Sequence, residues 1–243
     1  MRRLGIVLLL VIGLAAPAFA SPVGTTGVFE QFRYPGYYLN TGGEFTIYDF
    51  GTSLSNEGYS VAPATMNIPP SMPESFQTFC LEKREGSIAT NYFVVSGAAV
   101  TGGTATSDPL SMGTAWLYSQ FATGLLNVAG GNYFTGDRRV SAGLLQNAFW
   151  MLEGELAVDA GNPYYAAALL NGGIGDASVG YLGVYALNNF GDQASLDNYL
   201  EFGTLDGKRQ DYLWYHVPDG GATLMLLGGA LVGLGAIRRK LSK

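Results

Sequence analysis

The sequence contains one cysteine, Cys80, and one histidine, His216, among 243 residues. A single cysteine excludes an intramolecular disulfide framework. The two residues together are too few for the Cys/His clusters that bind structural zinc. A Cys80–His216 nucleophile pair would require hydrogen-bond contact between them. However, His216 directly precedes a C-terminal motif, and we expect it to lie in an exposed stalk. We therefore predict no metal, no cofactor and no enzymatic turnover.

Basic side chains are also scarce, and six of the 13 lie at the ends of the chain, at positions 2, 3, 238, 239, 240 and 243. The region from residue 21 to residue 221 contains seven basic and all 19 acidic residues, so its net charge is −12. This charge argues against nucleic acids and anionic lipid surfaces as partners. Charged residues make up only 13% of the chain, whereas Tyr and Gly are plentiful. Such a composition favours a β-rich extracellular domain over disorder.

The N-terminal segment has the pattern of a signal peptide. Arg2 and Arg3 precede an apolar run over residues 4–14, and Ala18 and Ala20 supply the small residues of a cleavage site. The pattern predicts a signal peptide at residues 1–20 and a mature chain that begins at Ser21. An uncleaved N-terminal anchor is the alternative, although the run is short for a membrane span.

The C-terminal segment, residues 217–243, has three parts. The motif Val217-Pro218-Asp219-Gly220-Gly221 comes first, an apolar stretch over residues 222–237 follows, and a basic tail over residues 238–243 contains Arg238, Arg239 and Lys240. The apolar stretch predicts a transmembrane helix, and the basic residues predict that the tail stays cytoplasmic. Everything before residue 218 would then lie outside the cell.

This order of a Pro-containing motif, an apolar helix and an Arg cluster resembles the PEP-CTERM class of sorting signals. The motif at residues 217–221 is similar to its VPDSG-type variant, with Gly220 where that variant has Ser. The resemblance implies that an exosortase-type membrane peptidase recognises the motif and removes the helix. The protein would be held at the membrane through the C-terminal helix before processing and would then pass to the cell surface or the medium. An ordinary single-span anchor is the alternative.

The pattern of residues 21–215, between the two ends, predicts an α+β fold. It consists of a β-rich domain, either a sheet or a sandwich, that carries an inserted helical pair. Strand-like segments come first and last, and helical patterns lie between them. Asp108-Pro109, Asp137 and Asn162-Pro163 are candidate helix starts. The strands are predicted at residues 28–34, 44–50, 75–82, 91–100, 181–188 and 212–217, and the helices at residues 110–126, 137–152 and 162–171.

The isolated Cys80 lies in the strand-like segment Phe79-Cys80-Leu81. Gln146 lies on the second predicted helix, between Leu145 and the pair Phe149-Trp150, and shares a helix face with Phe149 and Trp150. Free cysteine is among the most buried residue types, so an inert core thiol is one interpretation. An intermolecular disulfide is another.

Together, the two segments resemble the Cys–Gln thioester domains of bacterial surface proteins. In that family a Cys within an aromatic-Cys-aliphatic motif condenses with a Gln in an apolar-Gln-x-x-apolar-aromatic motif. The resemblance implies a thioester between Cys80 and Gln146, in a dry pocket formed by Phe79, Leu81, Phe149 and Trp150. It also implies covalent adhesion to an amine-bearing surface or matrix ligand. The alternative function is a non-covalent extracellular-matrix protein with an inert Cys80.

The remaining acidic residues suggest no site. Glu153 and Glu155 are two apart near a helix end, a spacing that predicts a solvated face rather than an acid/base pair. Four aspartates lie scattered after residue 190 without the spacing of a calcium loop, at Asp192, Asp197, Asp206 and Asp211.

Overall fold

The computed structural model of the protein describes residues 22–33, 37–39, 42–49, 75–100, 108–129 and 131–216. These residues all belong to one unit of the chain, Pro22–Asp219. The predicted signal peptide, the motif at residues 217–221, the apolar stretch at residues 222–237 and the basic tail lie outside the described residues.

Six antiparallel strands form the main sheet. In spatial order they are β12 (Lys208–Tyr215), β11 (Val184–Phe190), β6 (Thr90–Ser96), β1 (Thr26–Phe32), β4 (Phe45–Asp49) and β5 (Ser75–Thr78). Three two-stranded pairs accompany the sheet. They are β2 (Tyr38–Leu39) with β3 (Gly42–Gly43), β7 (Ala98–Ala99) with β8 (Asp108–Pro109), and β9 (Asn127–Val128) with β10 (Gly131–Asn132).

Four α-helices complete the described residues: α1 (Met112–Ala122), α2 (Arg138–Leu152), α3 (Pro163–Asn171) and α4 (Gln193–Phe202). Three of them follow one another between β8 and β11, and the fourth connects β11 to β12. The β-rich domain with a helical insertion is therefore confirmed. The third, shorter helix predicted at residues 162–171 belongs to this insertion together with the predicted pair, and α4 was not predicted.

Successive side chains of each strand point to opposite faces of the main sheet. The inner face carries a cluster of mostly aromatic side chains, namely Phe29, Phe45, Ile47, Phe76, Phe93, Val95, Tyr185, Leu187, Tyr212 and Trp214. The opposite face of β11 and β12, with Val184, Ala186 and Leu213, packs in a second cluster that includes residues of α1, α2 and α3. Further along the sheet, α4 packs Leu196 against Val94 and Phe190. Burial on both faces explains why β11 is buried at every position.

Side-chain caps decide where the helices begin. Asp137 accepts hydrogen bonds from the backbone N–H groups of Arg139 and Val140, and Asn162 accepts them from those of Tyr164 and Tyr165, as predicted. The predicted start of α1 at Asp108-Pro109 is wrong, because these residues pair with Ala98–Ala99 as β8. Ser111 caps α1 instead, through the N–H of Thr114.

Candidate functional site

Cys80 lies where the two edges of the curled sheet meet. The chain that continues from β5 turns onto β12, and Cys80 faces Tyr212 in an antiparallel bridge. The N–H of Leu213 donates to the carbonyl of Phe79 at 3.2 Å, and the N–H of Leu81 donates to the carbonyl of Asp211 at 3.0 Å. We call this junction of residues 78–81 with residues 211–213 the seam. Backbone hydrogen bonds on both sides of Cys80 fix its position.

The side chain of Gln146 reaches the seam from α2. Its Oε1 accepts from the backbone N–H of Cys80 at 3.0 Å, and its Nε2 donates to the backbone carbonyl of Cys80 at 2.7 Å. Gln146 is fully buried and Cys80 is 5% exposed. A buried amide requires hydrogen-bond partners, and Gln146 finds both of them on this one residue. Two residues that are 66 positions apart are thus held side by side.

This arrangement has a chemical consequence for the Gln146 amide. A carbonyl oxygen that accepts a hydrogen bond is polarised, and the same donor stabilises the negative charge that develops when a nucleophile attacks the carbon. The donor here is the N–H of Cys80 itself, the residue that carries the thiol. Burial raises the pKa of the Cys80 thiol well above its usual value. The thiol is therefore protonated at neutral pH.

The four predicted pocket residues all lie around the Cys80–Gln146 pair, in two clusters. Trp150 is buried and packs in the inner aromatic cluster together with Cys80. Phe79, Leu81 and Phe149 belong to the second cluster, which includes residues of α1, α2 and α3. The Phe79 and Phe149 rings are 5.2 Å apart. Apolar groups therefore lie on both sides of the seam. Gly42 of β3, which no sequence signal indicated, packs directly on Gln146 and Trp150.

A cluster of carboxylates lies immediately beyond Cys80. Oxygens of Glu82, Glu85 and Asp211 lie within 4.8 Å of one another. The ammonium group of Lys208 lies 2.9 Å from Glu85 and 2.5 Å from Asp211. Burial, reinforced by the negative charge of Asp211, raises the pKa of Glu82 far above its usual range. The cluster therefore includes its own cation, and Glu82 retains its proton. The sequence indicated no site at Asp211, and the structure buries it in this cluster.

Two other expectations about single residues are corrected. Glu153 does not lie on a solvated face, because its carboxylate is buried and accepts hydrogen bonds from the N–H of Ser111 and the hydroxyl of Thr114. His216 does not lie in an exposed stalk. Its backbone N–H donates to Gly183 at 2.8 Å, and its ring lies 5.3 Å from that of Trp214. The contacts of Glu153 with Ser111 and Thr114, and that of His216 with Gly183, join segments that are far apart in the sequence, so local spacing cannot show them.

Residues 216–241 match the VPDSG-CTERM motif. The match begins at His216, covers the predicted motif and apolar stretch, and ends within the basic tail at residue 241. It supports a PEP-CTERM-type sorting signal, and so an exported protein that is processed by an exosortase-type membrane enzyme. No curated protein and no solved structure matches the chain. In the part of the chain that the structure describes, no helix is long and apolar enough to cross a membrane.

Proposed function

We propose that this exported protein forms an internal thioester between Cys80 and Gln146 and uses it to attach itself covalently to an amine-bearing partner outside the cell. One observation carries the proposal: the buried Gln146 amide is hydrogen-bonded in both directions to the backbone of the only cysteine in the chain. The sorting motif supports the location, because it delivers the domain to the surface where such partners are found.

Formation of the thioester is a condensation. The Cys80 sulfur attacks the side-chain carbonyl carbon of Gln146, the bond from that carbon to Nε2 breaks, and the thiol proton leaves with the nitrogen as ammonia. An amide is a poor electrophile and a protonated thiol is a weak nucleophile, so the reaction needs help from the fold. Fixed geometry can supply on the order of 7–11 kcal/mol in favourable cases.

The two hydrogen bonds of Gln146 support both the attack on its carbonyl carbon and the departure of its amino group. The Cys80 N–H holds the carbonyl oxygen on which negative charge develops. The Cys80 carbonyl holds the amino group that must leave. The surrounding Phe79, Phe149 and Trp150 side chains exclude water, which would otherwise hydrolyse the product.

Attachment is the second step. The amine of the partner attacks the thioester carbon, the bond between carbon and sulfur breaks, and the sulfur takes a proton to restore the Cys80 thiol. The product is an amide between Gln146 and the partner. Because the bond is consumed, each molecule reacts once, so we propose an adhesive protein and not an enzyme. A surface or matrix protein with accessible lysine side chains has the required chemistry.

A non-covalent structural protein of the extracellular matrix is the second candidate. The complete burial of Gln146 favours it, because the same two hydrogen bonds also satisfy a structural amide that fastens α2 to the seam. Cys80 would then be an inert core residue.

Intact mass spectrometry of the purified protein distinguishes the two candidates. We expect a native mass that is short by one ammonia, and treatment with methylamine should give an adduct on Gln146 and free the Cys80 thiol. Cys80→Ala and Gln146→Ala should each restore the unmodified mass. The exposed Gln193 is an internal control that should acquire no methylamine. An unmodified wild-type mass, with Cys80 alkylated only after unfolding, rules out the covalent function.

A further inference from the structure

The side chain of Gln146 is covered by the backbone of Gly42. A Cβ atom at this position would lie 2.3 Å from Cγ of Gln146 and 2.7 Å from the Trp150 ring. Both distances are shorter than any van der Waals contact, so only glycine allows the backbone to approach this closely. Residue 42 itself is buried. The covering element is thus the main chain of β3.

An ion pair holds the end of β3 against the start of α2. Glu44 directly follows β3, and its carboxylate accepts from Nε and Nη2 of Arg138, both at 2.8 Å. The hydroxyl of Tyr133 donates to the same carboxylate at 2.6 Å. Glu44 is fully buried and Arg138 is 7% exposed. A buried, bidentate carboxylate–guanidinium pair restricts both the distance between the two side chains and their relative orientation.

The two contacts act on one helix. Arg138 is the first residue of α2, and Gln146 lies two turns further along it. The ion pair therefore fixes the strand at one end of the helix while Gly42 rests on the Gln146 side chain. The inner aromatic cluster, with Cys80 and Trp150, closes the other side.

We propose that Gly42, held in place by the Glu44–Arg138 pair, is a positioning residue that seals the Cys80–Gln146 bond against water. An amine reaches the bond only when the segment of residues 42–44 moves away from Gln146. The inference rests on the proposed thioester. A thioester in water is lost by hydrolysis, so a protein that reacts once must protect the bond until the partner arrives. A residue without a side chain is needed, because any side chain here would hold the backbone away from Gln146.

The test measures the lifetime of the thioester in the full chain. Wild-type protein, Gly42→Ala and Glu44→Gln are purified, and intact mass is followed over time in buffer, with and without methylamine. Hydrolysis appears as a water adduct and aminolysis as a methylamine adduct. For both variants we expect the half-life of the bond in buffer to fall by about tenfold, which corresponds to roughly 1.4 kcal/mol of lost protection. Methylamine incorporation should accelerate as well.

Gly113→Ala is the matched control. A Cβ at Gly113 of α1 would lie 2.6 Å from the carbonyl oxygen of Gly173 and 2.9 Å from Leu152, so it is nearly as crowded as one at Gly42 but does not touch Gln146. We expect Gly113→Ala to lower the unfolding free energy and to leave the half-life unchanged. An equal shortening in this control would mean that general loosening explains the effect, and the inference would fail.

The outcomes also separate this inference from the proposed function. If wild-type protein lacks the ammonia-deficient mass, the thioester itself is absent and both proposals fall. If wild-type protein carries the bond but Gly42→Ala and Glu44→Gln lose it no faster, the thioester stands and the seal is refuted. Because Glu44→Gln leaves a buried Arg138 without its charged partner, its folding is checked by chemical denaturation. If Glu44→Gln does not fold, the half-life of the bond in Gly42→Ala decides the question.

Discussion

Two buried polar side chains, one on α2 and one at its C-terminal cap, show how one residue can link distant segments. Gln146 fastens the middle of the helix to Cys80, and Glu153, seven residues later, fastens its end to Ser111 and Thr114 at the start of α1. Buried polar groups of this kind contribute stability only when they are hydrogen-bonded. Gln146 is neutral and needs no further compensation. Glu153 is ionisable, so its contribution depends on pH.

Burial raises the pKa of Glu153 from 4.5 to about 7, although hydrogen bonds from Thr114 and Ser111 oppose the shift. The folded protein therefore holds this proton more tightly than the unfolded chain does. The resulting stability is fully present below pH 4.5 and is lost as the pH rises to about 7. Between pH 5 and pH 8 we expect this one group to remove roughly 2–3 kcal/mol from the unfolding free energy.

Glu153→Gln should abolish that part of the pH dependence, because glutamine keeps the shape of the side chain and does not titrate. Urea denaturation of both proteins at several pH values measures the difference. Glu201→Gln, which removes an exposed helical carboxylate, is the control for a general change of charge. Parallel stability profiles for wild type and Glu153→Gln would contradict the prediction.

At the scale of the element, local signals predicted the helix starts that depend on local contacts. Asp137 and Asn162 cap α2 and α3 through hydrogen bonds to residues two and three positions ahead, which the sequence displays directly. The start of α1 was misplaced because Asp108-Pro109 is recruited into a strand by Ala98–Ala99, a tertiary pairing. The helix α4 was missed because it is short and buries only Leu196.

Asn162 also connects two elements, and this connection can be tested. Its Oδ1 caps α3, and its Nδ2 donates to the carbonyl of Leu144 on α2 at 2.8 Å. We expect Asn162→Ala to lower the unfolding free energy by about 2 kcal/mol, at the upper end of the range for caps, because the residue is buried. Asp192→Ala removes the exposed cap of α4 and should cost less. Denaturation midpoints that rank the two variants in the opposite order would refute this account.

At the scale of the whole molecule, closure of the sheet creates sites that no segment contains by itself. The pairing of Cys80 with Gln146 was predicted from resemblance to a family, because neither burial nor periodicity links positions 66 apart. The carboxylate cluster was not predicted at all. Glu82 and Glu85 come from the chain beyond β5, whereas Lys208 and Asp211 come from β12. They meet only because the edges of the sheet meet.

Lys208 therefore stabilises the closed sheet through charge. Burial alone would lower the pKa of Lys208, but the neighbouring acidic groups, Asp211 above all, raise it on balance, so the ammonium is charged throughout the neutral range. Lys208→Met keeps the length of the side chain and leaves Asp211 buried without a cation. Breaking a buried ion pair in this way costs about 3–5 kcal/mol, which we expect at pH 8. The deficit should shrink toward pH 5, because protonation of the carboxyl groups then removes the unpaired charge.

Lys83→Met, at an exposed lysine whose ammonium lies 6.0 Å from the Trp150 ring, is the control and should cost less than about 1 kcal/mol. Guanidinium denaturation of both variants at the two pH values provides the measurement. A Lys208→Met deficit that is the same at pH 5 and pH 8 would show that the ammonium acts through packing and not through its charge.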